Sequence, residues 1–579
     1  MKKTFLVLLV LINALQLFAQ DQTKEKTKLQ VKEGSWYKEA PLNGTFGIDL
    51  NGAKQLLKTK KILKTPIIAL IGTGSDIEHE ALKNSVWVNP TEKLDGIDND
   101  KNGFIDDING WNFLGSKEGQ TMEKTVSEID REWLRLKDKY AEIYFDGKSY
   151  FTIENGLRKS APKPANLSEF VYFDNLKKLS SGSLASKYSS YKFAFLQKEY
   201  VEMWDKEIMR KWNGKTRKDI PADSALALFY DKTKAVELDS LKRAVFGMTS
   251  MFSQLYKGYM PDKSYVVNWE VVYDNFMNKQ IDFSKKNFDD AFKFFGNDQR
   301  QALVKDASND ITDNKYGNNI LLTATSGFGT LLSGIIAGND VNGTGFSGIM
   351  PEAKIMNLVV AGKSGAPYPK DVALAIKYAV DKGADVIVLS QQSSLFSTEQ
   401  KTWIYDAIRQ AEKKGILVIV PALERREDLD KVVYHPRREN FNGLPFTNLM
   451  VIANSDKKGL PSELSSYGKN SLDMFVPGVN VYSTLPGDTY NIVASPSSCV
   501  AVAAASAALI KAYFPNLNGT QIRKLLMANV TSRKGLEVEK NFTNGGKAVV
   551  DLFLYEQLCT SGGILNLKKT VEAALKTKK

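Results

Sequence analysis

One stretch constrains this chain more than any other. Ser495-Pro496-Ser497-Ser498-Cys499-Val500-Ala501-Val502 runs on through Ala503–Ile510 to Lys511-Ala512-Tyr513-Phe514-Pro515. A turn of small polar residues enters a helix built almost wholly of Ala, Val and other small side chains. A helix without a polar face must be surrounded by protein, and small side chains let its neighbours approach closely. Its start carries serine, which has two readings at a buried helix N-terminus. One is an N-cap that accepts a hydrogen bond from an orphan backbone N–H. The other is a nucleophile beside an oxyanion site.

At 579 residues the chain exceeds one ordinary domain and can bury a large core. Its net charge of +12 is spread among Asp and Glu without a basic block. That excludes the footprint of a nucleic-acid binder and leaves attraction to an anionic envelope surface. Lys2 and Lys3, the apolar run Phe5–Leu17 and the small-residue site Phe18-Ala19-Gln20-Asp21 form a secretory signal peptide over 1–20. The run is too short for a membrane anchor, so an exported protein is expected, with no transmembrane segment in its mature chain. Cys499 and Cys559 make no disulfide framework. The position of Cys499 in the apolar helix predicts a buried free thiol.

Residues 21–64 are polar and Lys-rich, with Trp36-Tyr37 and Gly44–Gly47 as docking points onto the core. Pro66–Ile71 is a continuous apolar run bounded by Gly72-Thr73-Gly74, the pattern of a buried parallel strand that ends in a turn. Asp98-Asn99-Asp100-Lys101-Asn102-Gly103 through Asp106-Asp107 resembles the start of a calcium loop, with Asp98, Asp100, Asn102 and Asp106 as ligands of a structural calcium. Asn109 stands where a bidentate Glu belongs, and the competing reading is a solvated acidic loop. Across 116–315 the pattern changes to amphipathic, aromatic-rich helices, beginning with Met122, Val126, Ile129, Trp133, Leu136, Tyr140 and Ile143. Strand and helix patterns then alternate from Thr330 to Ala453, which implies a mostly parallel sheet covered on both faces. The expected divisions are 1–20, 21–64, a first core part 65–115, a helical insertion 116–315, and a second core part 316–579.

Taken together, Ile67–Ala81, Gly96–Leu114, Tyr316–Asn319, Gly329-Thr330 with Gly334-Ile335-Ile336, Tyr467–Pro486 and Ser495–Leu517 resemble the subtilisin-like serine proteases, or subtilases. The resemblance is to a branch common in Bacteroidota that carries a helical insertion. It implies an α/β, three-layer fold with a mostly parallel central sheet. It also implies a catalytic Ser-His-Asp relay, in which Ser attacks, His takes its proton and Asp orients the His.

Most of that relay is replaced. The family's Asp-Thr/Ser-Gly turn reads Gly72-Thr73-Gly74, and its His-Gly-Thr-His motif reads Phe328-Gly329-Thr330-Leu331. The oxyanion Asn that closes an Ala-Ala-Gly-Asn segment becomes Glu424 in Pro421-Ala422-Leu423-Glu424. The nucleophile position falls on Ser497, so Ser497 alone keeps the family's residue type. The chain has two histidines. His79 is expected on a surface helix and His435 in a surface loop, neither at a matching position. The peptide-binding segments read Ser390-Gln391-Gln392 and Pro421-Ala422-Leu423, where glycines would admit an added strand.

In subtilisin, loss of Ser or His alone costs about 10⁶ in turnover, and the losses are not additive. The expectation is therefore a catalytically inactive subtilase homologue, with Ser497 the trace of a nucleophile serving as a helix cap. It would act as a structural or protein-binding component of the cell envelope, docking through 116–315, in the periplasm, at the outer membrane or outside the cell. The alternative is a divergent serine endopeptidase that uses Ser497 with a non-standard base. A peptide-binding chaperone or inhibitor using the old cleft is disfavoured by Gln391, Gln392 and Pro421. Asp223-Ser224-Ala225 and Asp239-Ser240-Leu241 resemble a Bacteroidota O-glycosylation pattern.

Overall fold

Apolar runs such as Ile67–Ile71, Val386–Leu389 and Leu417–Val420 become the central strands. In the computed structural model the described residues are 27–577, apart from 155–156, 230–239, 263, 296–298, 325, 342, 364–365, 390–391, 393–397, 433, 440–442, 496 and 545–546. The expected signal peptide, Ser390-Gln391 and Asp239 lie outside them. Two compact units emerge, one from Val126 to Asp298 and the other from the residues on either side of it. No helix among the described residues is long and apolar enough to cross a membrane.

The flanking unit is built on a nine-stranded sheet. From one edge its strands are Thr531–Ser532, Gly563–Ile564, Met474–Pro477, Leu449–Ser455, Leu417–Pro421, Val386–Leu389, Ile67–Gly72, Lys354–Val359 and Gly110–Asn112. All neighbours pair parallel except the first two. Strand side chains alternate between faces, and the core divides accordingly. Ile68, Leu70, Ile355, Val386, Val388, Leu417 and Ile419 pack on one side with the Gly327–Ala337 and Ser498–Tyr513 helices. Ala69, Ile71, Met356, Leu358, Ile387 and Val418 pack on the other with the Pro369–Asp381 and Thr398–Lys413 helices.

The apolar helix is as enclosed as its composition requires. Every residue from Ser498 to Ile510 is buried, and Ala512 with them. Its Cys499 is a buried free thiol, and so is Cys559. The N-terminal extension docks through Trp36 and Tyr37, both buried in this core, and the Trp36 indole donates to Val479 O at 3.1 Å.

A buried ionic cluster ties residues 299–316 to the start of the Pro369–Asp381 helix. The Arg300 guanidinium forks onto both oxygens of Asp306 (2.6 and 2.8 Å) and both oxygens of Asp371 (2.7 and 2.7 Å). Lys370 Nζ donates to Asp306 Oδ2 at 2.7 Å, and the Tyr316 hydroxyl donates to Asp371 at 2.5 Å. Arg300, Lys370 and Asp371 are fully buried. Burial alone would push the Asp306 carboxyl up, but Arg300 and then Lys370 outweigh it and hold it below its ordinary value.

The Val126–Asp298 unit is mainly helical, with long helices at Glu128–Tyr140, Leu184–Lys211 and Ser240–Tyr259. It also carries a three-stranded antiparallel sheet of Tyr144–Phe145, Tyr150–Glu154 and Leu157–Ser160, which helical periodicity does not reveal. Its aromatic side chains largely pack on one another. Trp133 meets Tyr188 at 5.3 Å and Phe288 at 5.8 Å, and Trp269 donates its indole N–H to the buried Asp205. High aromatic content thus explains this unit's own core. One stripe of the Ser240–Tyr259 helix stays outside, with Met248, Met251, Leu255 and Tyr259 exposed at spacings of three and four, while Phe145, Leu179, Val266 and Phe283 are exposed elsewhere in the unit. Ser224 is also exposed.

Candidate functional site

The site forms at the C-terminal ends of the parallel strands, where open α/β sheets place their ligands. The strand Ile67–Gly72 delivers Gly72 there, and Thr73 and Gly74 turn the chain under the Gly327–Ala337 helix. That turn is stitched to the helix. The Gly329 N–H donates to Thr73 Oγ1 at 3.2 Å, the Asp76 N–H donates to Thr330 Oγ1 at 2.9 Å, and the Ser75 and Ser333 hydroxyls meet at 3.1 Å. Contact is close enough to demand glycine. A Cβ on Gly329 would lie 1.7 Å from Gly74 O, and Gly74 itself has φ +80°.

These contacts bring three of the four sequence-assigned positions to one place. Gly72, Phe328 and Ser497 line a single cavity of about 540 Å³. Phe328 stands half-exposed at its rim, and neither Gly72 nor Phe328 offers an atom that accepts a proton.

Ser497 does not do what the cap reading requires. It occupies the N-cap position of the Ser498–Tyr513 helix, yet its hydroxyl makes no capping bond there. Capping falls to Asn454, on the strand Leu449–Ser455, whose Oδ1 accepts from the Cys499 N–H at 3.2 Å. The same amide group donates from Nδ2 to Ser495 O at 3.1 Å and to Glu424 Oε1 at 3.4 Å. Asn454 therefore orients the serine turn, a role that no local pattern signals because it is supplied from 45 residues away. Glu424 meets Asn454 and does not line the cavity. Burial raises its carboxyl above the ordinary value, with Asn454 and Lys540 pulling the other way.

Both histidines are buried, contrary to the surface positions expected of them. The His79 ring lies edge-on to Tyr490 (5.1 Å), with Nδ1 accepting from the Ala81 N–H and Nε2 against Thr489 O at 3.3 Å. It sits in a turn, not on a helix. His435 Nδ1 meets the Tyr405 hydroxyl at 2.6 Å. Each ring is claimed by partners distant in sequence, which is why chain-local polarity misplaced them. Neither lines the cavity.

Burial, reinforced by Lys401 and Arg437, lowers the His435 pKa from 6.5 to about 3. A histidine depressed in the folded state binds its proton preferentially when unfolded. Its contribution is complete above about pH 6.5 and falls away as the pH drops toward 3. In urea titrations at pH 7 and pH 4.5, His435→Asn should lose less stability between the two than the natural chain does.

The acidic loop is rearranged relative to its spacing. Asp98 and Asp100 come together with Glu92, one oxygen of each within 4.8 Å of the others. Asn102 and Asp106 are engaged elsewhere. The Asn102 amide donates to Asp107 at 2.8 Å, and Asp106 Oδ1 accepts the N–H groups of Asp95 and Gly96 at 3.0 Å each. Asp98 accepts from the N–H groups of Asn102 and Gly103, and the Lys382 ammonium sits on Asp100. Of the four residues read from spacing, Asp98 and Asp100 therefore stand in one carboxylate group, and Glu92 is its third member.

The family model described as the Subtilase family matches residues 64–545. The chain belongs to the subtilase family. Among curated relatives, this subtilase is 30% identical to Subtilisin Savinase of Lederbergia lenta over 207 residues, covering 36% of its own length and 71% of that protein. It is also 30% identical to the alkaline protease of Alkalihalobacillus alcalophilus, covering 36% of its own length and 50% of that chain. The epidermin leader peptide processing serine protease of Staphylococcus aureus is a similar solved structure at 19% identity and a TM-score of 0.37, covering 45% of this chain and 66% of that one. The family model and the nine-stranded, mostly parallel sheet with its flanking helices agree on a subtilase fold.

Proposed function

We propose that this subtilase has lost hydrolysis and works as a structural, protein-binding component of the bacterial cell envelope, reached through the N-terminal export signal. One observation carries the loss: among the described residues, the cavity that gathers Gly72, Phe328 and Ser497 is lined by no imidazole or carboxylate, and both histidines of the chain are bonded elsewhere. With phenylalanine and glycine at the family's His and Asp positions, the relay that would take the proton of Ser497 is replaced, and a serine without that relay is a poor nucleophile. The docking surface is the exposed stripe Met248, Met251, Leu255 and Tyr259, since an apolar row of this kind on a helix is suited to protein contact. Labelling with a fluorophosphonate probe should leave the natural chain and Ser497→Ala equally unmodified. Partners co-purified from envelope fractions should be lost with Leu255→Glu.

One observation favours the second reading, a divergent endopeptidase. Ser497 keeps its place on the cavity wall, and Glu424 has a raised pKa beside the serine turn. Serine-dependent labelling would establish that reading and reject the first.

A further inference from the structure

The cavity left at the relay positions has the properties of a ligand site. Its volume, about 540 Å³, falls inside the range of roughly 300–1,000 Å³ typical of small-molecule pockets. Ile71, Leu331, Leu332, Leu485 and Val493, aliphatic and branched, make much of its walls, with the Phe328 ring at the rim. Among the described residues its polar side chains are the hydroxyl-bearing Thr73 and Ser497 and one charged lining residue, Lys363. Lys363 is exposed, and its ammonium pairs with no carboxylate among the described residues.

We infer that this cavity binds an aliphatic monocarboxylate, its chain against the branched walls and its carboxylate on Lys363. Charge complementarity selects the head group. A single ammonium suits one negative charge, whereas a phosphate or dinucleotide calls for several donors converging at one point. The walls select the tail, because behind the single aromatic ring of Phe328 at the rim they are aliphatic and favour a flexible hydrocarbon chain over a flat ring system. An apolar cavity also rewards length, by about fourfold in affinity for each methylene taken out of water. This inference goes beyond the loss of hydrolysis: labelling of Ser497 would overturn that reading and leave the ligand to be decided by its own titration.

The test is titration of the full chain with octanoate, decanoate, dodecanoate and 1-dodecanol, followed by calorimetry. Dodecanoate should bind saturably at one per chain, and affinity should rise about fifteenfold for each two-carbon step until the cavity is full. Lys363→Met should weaken dodecanoate at least about fivefold and leave 1-dodecanol unchanged. Gly327 lines the cavity, and a Cβ there meets nothing within 4 Å, so Gly327→Trp should fill the space in a folded protein and abolish both. Val493→Trp, on another wall, is the second blocking variant if the first unfolds. Absence of saturable dodecanoate binding would overturn the inference, as would binding that both blocked variants retain. An unchanged Lys363→Met titration would overturn the head-group assignment. Tighter binding of an N-acetylated trileucine amide would reject the fatty ligand in favour of a peptide.

Discussion

The triple variant Gly72→Asp, Phe328→His, Glu424→Asn should acquire ester hydrolysis that depends on Ser497, and no single one of the three substitutions should. Relay residues act as a unit, so a lone histidine or a lone aspartate gains almost nothing. An intact relay is worth about 10⁶ in subtilisin, and one oxyanion donor about 10²–10³. The gain here will be smaller, because Pro421 ends the strand beside the old cleft and proline has no N–H to offer a bound strand. A rise of at least about 10² in the hydrolysis of a small activated ester is expected, since such a substrate needs little of the peptide cleft. The control is Ser497→Ala in the triple background, which should return the rate to that of the natural chain. The prediction rests on geometry: Gly72, Phe328 and Ser497 line one cavity, and the turn after Gly72 is fixed to the helix that carries Phe328. A folded triple variant without activity would mean that these positions do not stand in relay register.

The second large effect lies in the Arg300 cluster. Arg300→Met leaves two buried carboxylates, Asp306 and Asp371, with Lys370 on the first and Tyr316 on the second among the described residues. Breaking a buried pair by removing one partner costs about 3–5 kcal/mol, because the surviving charge stays buried. Guanidinium unfolding of Arg300→Met should show a loss of that order. Removing both members, in Arg300→Met with Asp371→Leu, should recover much of it, as apolar replacement of a whole buried pair is often neutral. Acid should act on the same cluster. The depressed Asp306 carboxyl contributes stability that is present above its unfolded value near pH 4 and lost as the pH falls through the lower folded value. Asp306→Asn should therefore flatten the acid limb of the stability curve.

The strands were legible because burial on both faces writes them as unbroken apolar runs, such as Ile67–Ile71 and Leu417–Val420. The enclosed helix was legible for the same reason, since its composition leaves it no solvent face. Gly72, Phe328 and Ser497 could be found because short motifs flank each of them, and the fold brings all three to one cavity. Other features depend on partners remote in sequence. Asn454 caps the serine helix from another strand, Glu92 joins Asp98 and Asp100 from an adjoining turn, and Tyr405 and Tyr490 enclose the two histidines. The aromatic content of 116–315 suggested a surface to bind others, yet most of those rings fill the unit's own interior. Composition gives the number of rings, whereas only tertiary packing decides which way they face.

The central claim is that Ser497 does no chemistry. Its most direct test is the turnover of an unstructured protein substrate, such as denatured casein, by the natural chain and by Ser497→Ala purified side by side. Equal rates, indistinguishable from the buffer blank, are what the account predicts. A natural-chain rate that disappears in Ser497→Ala would contradict it.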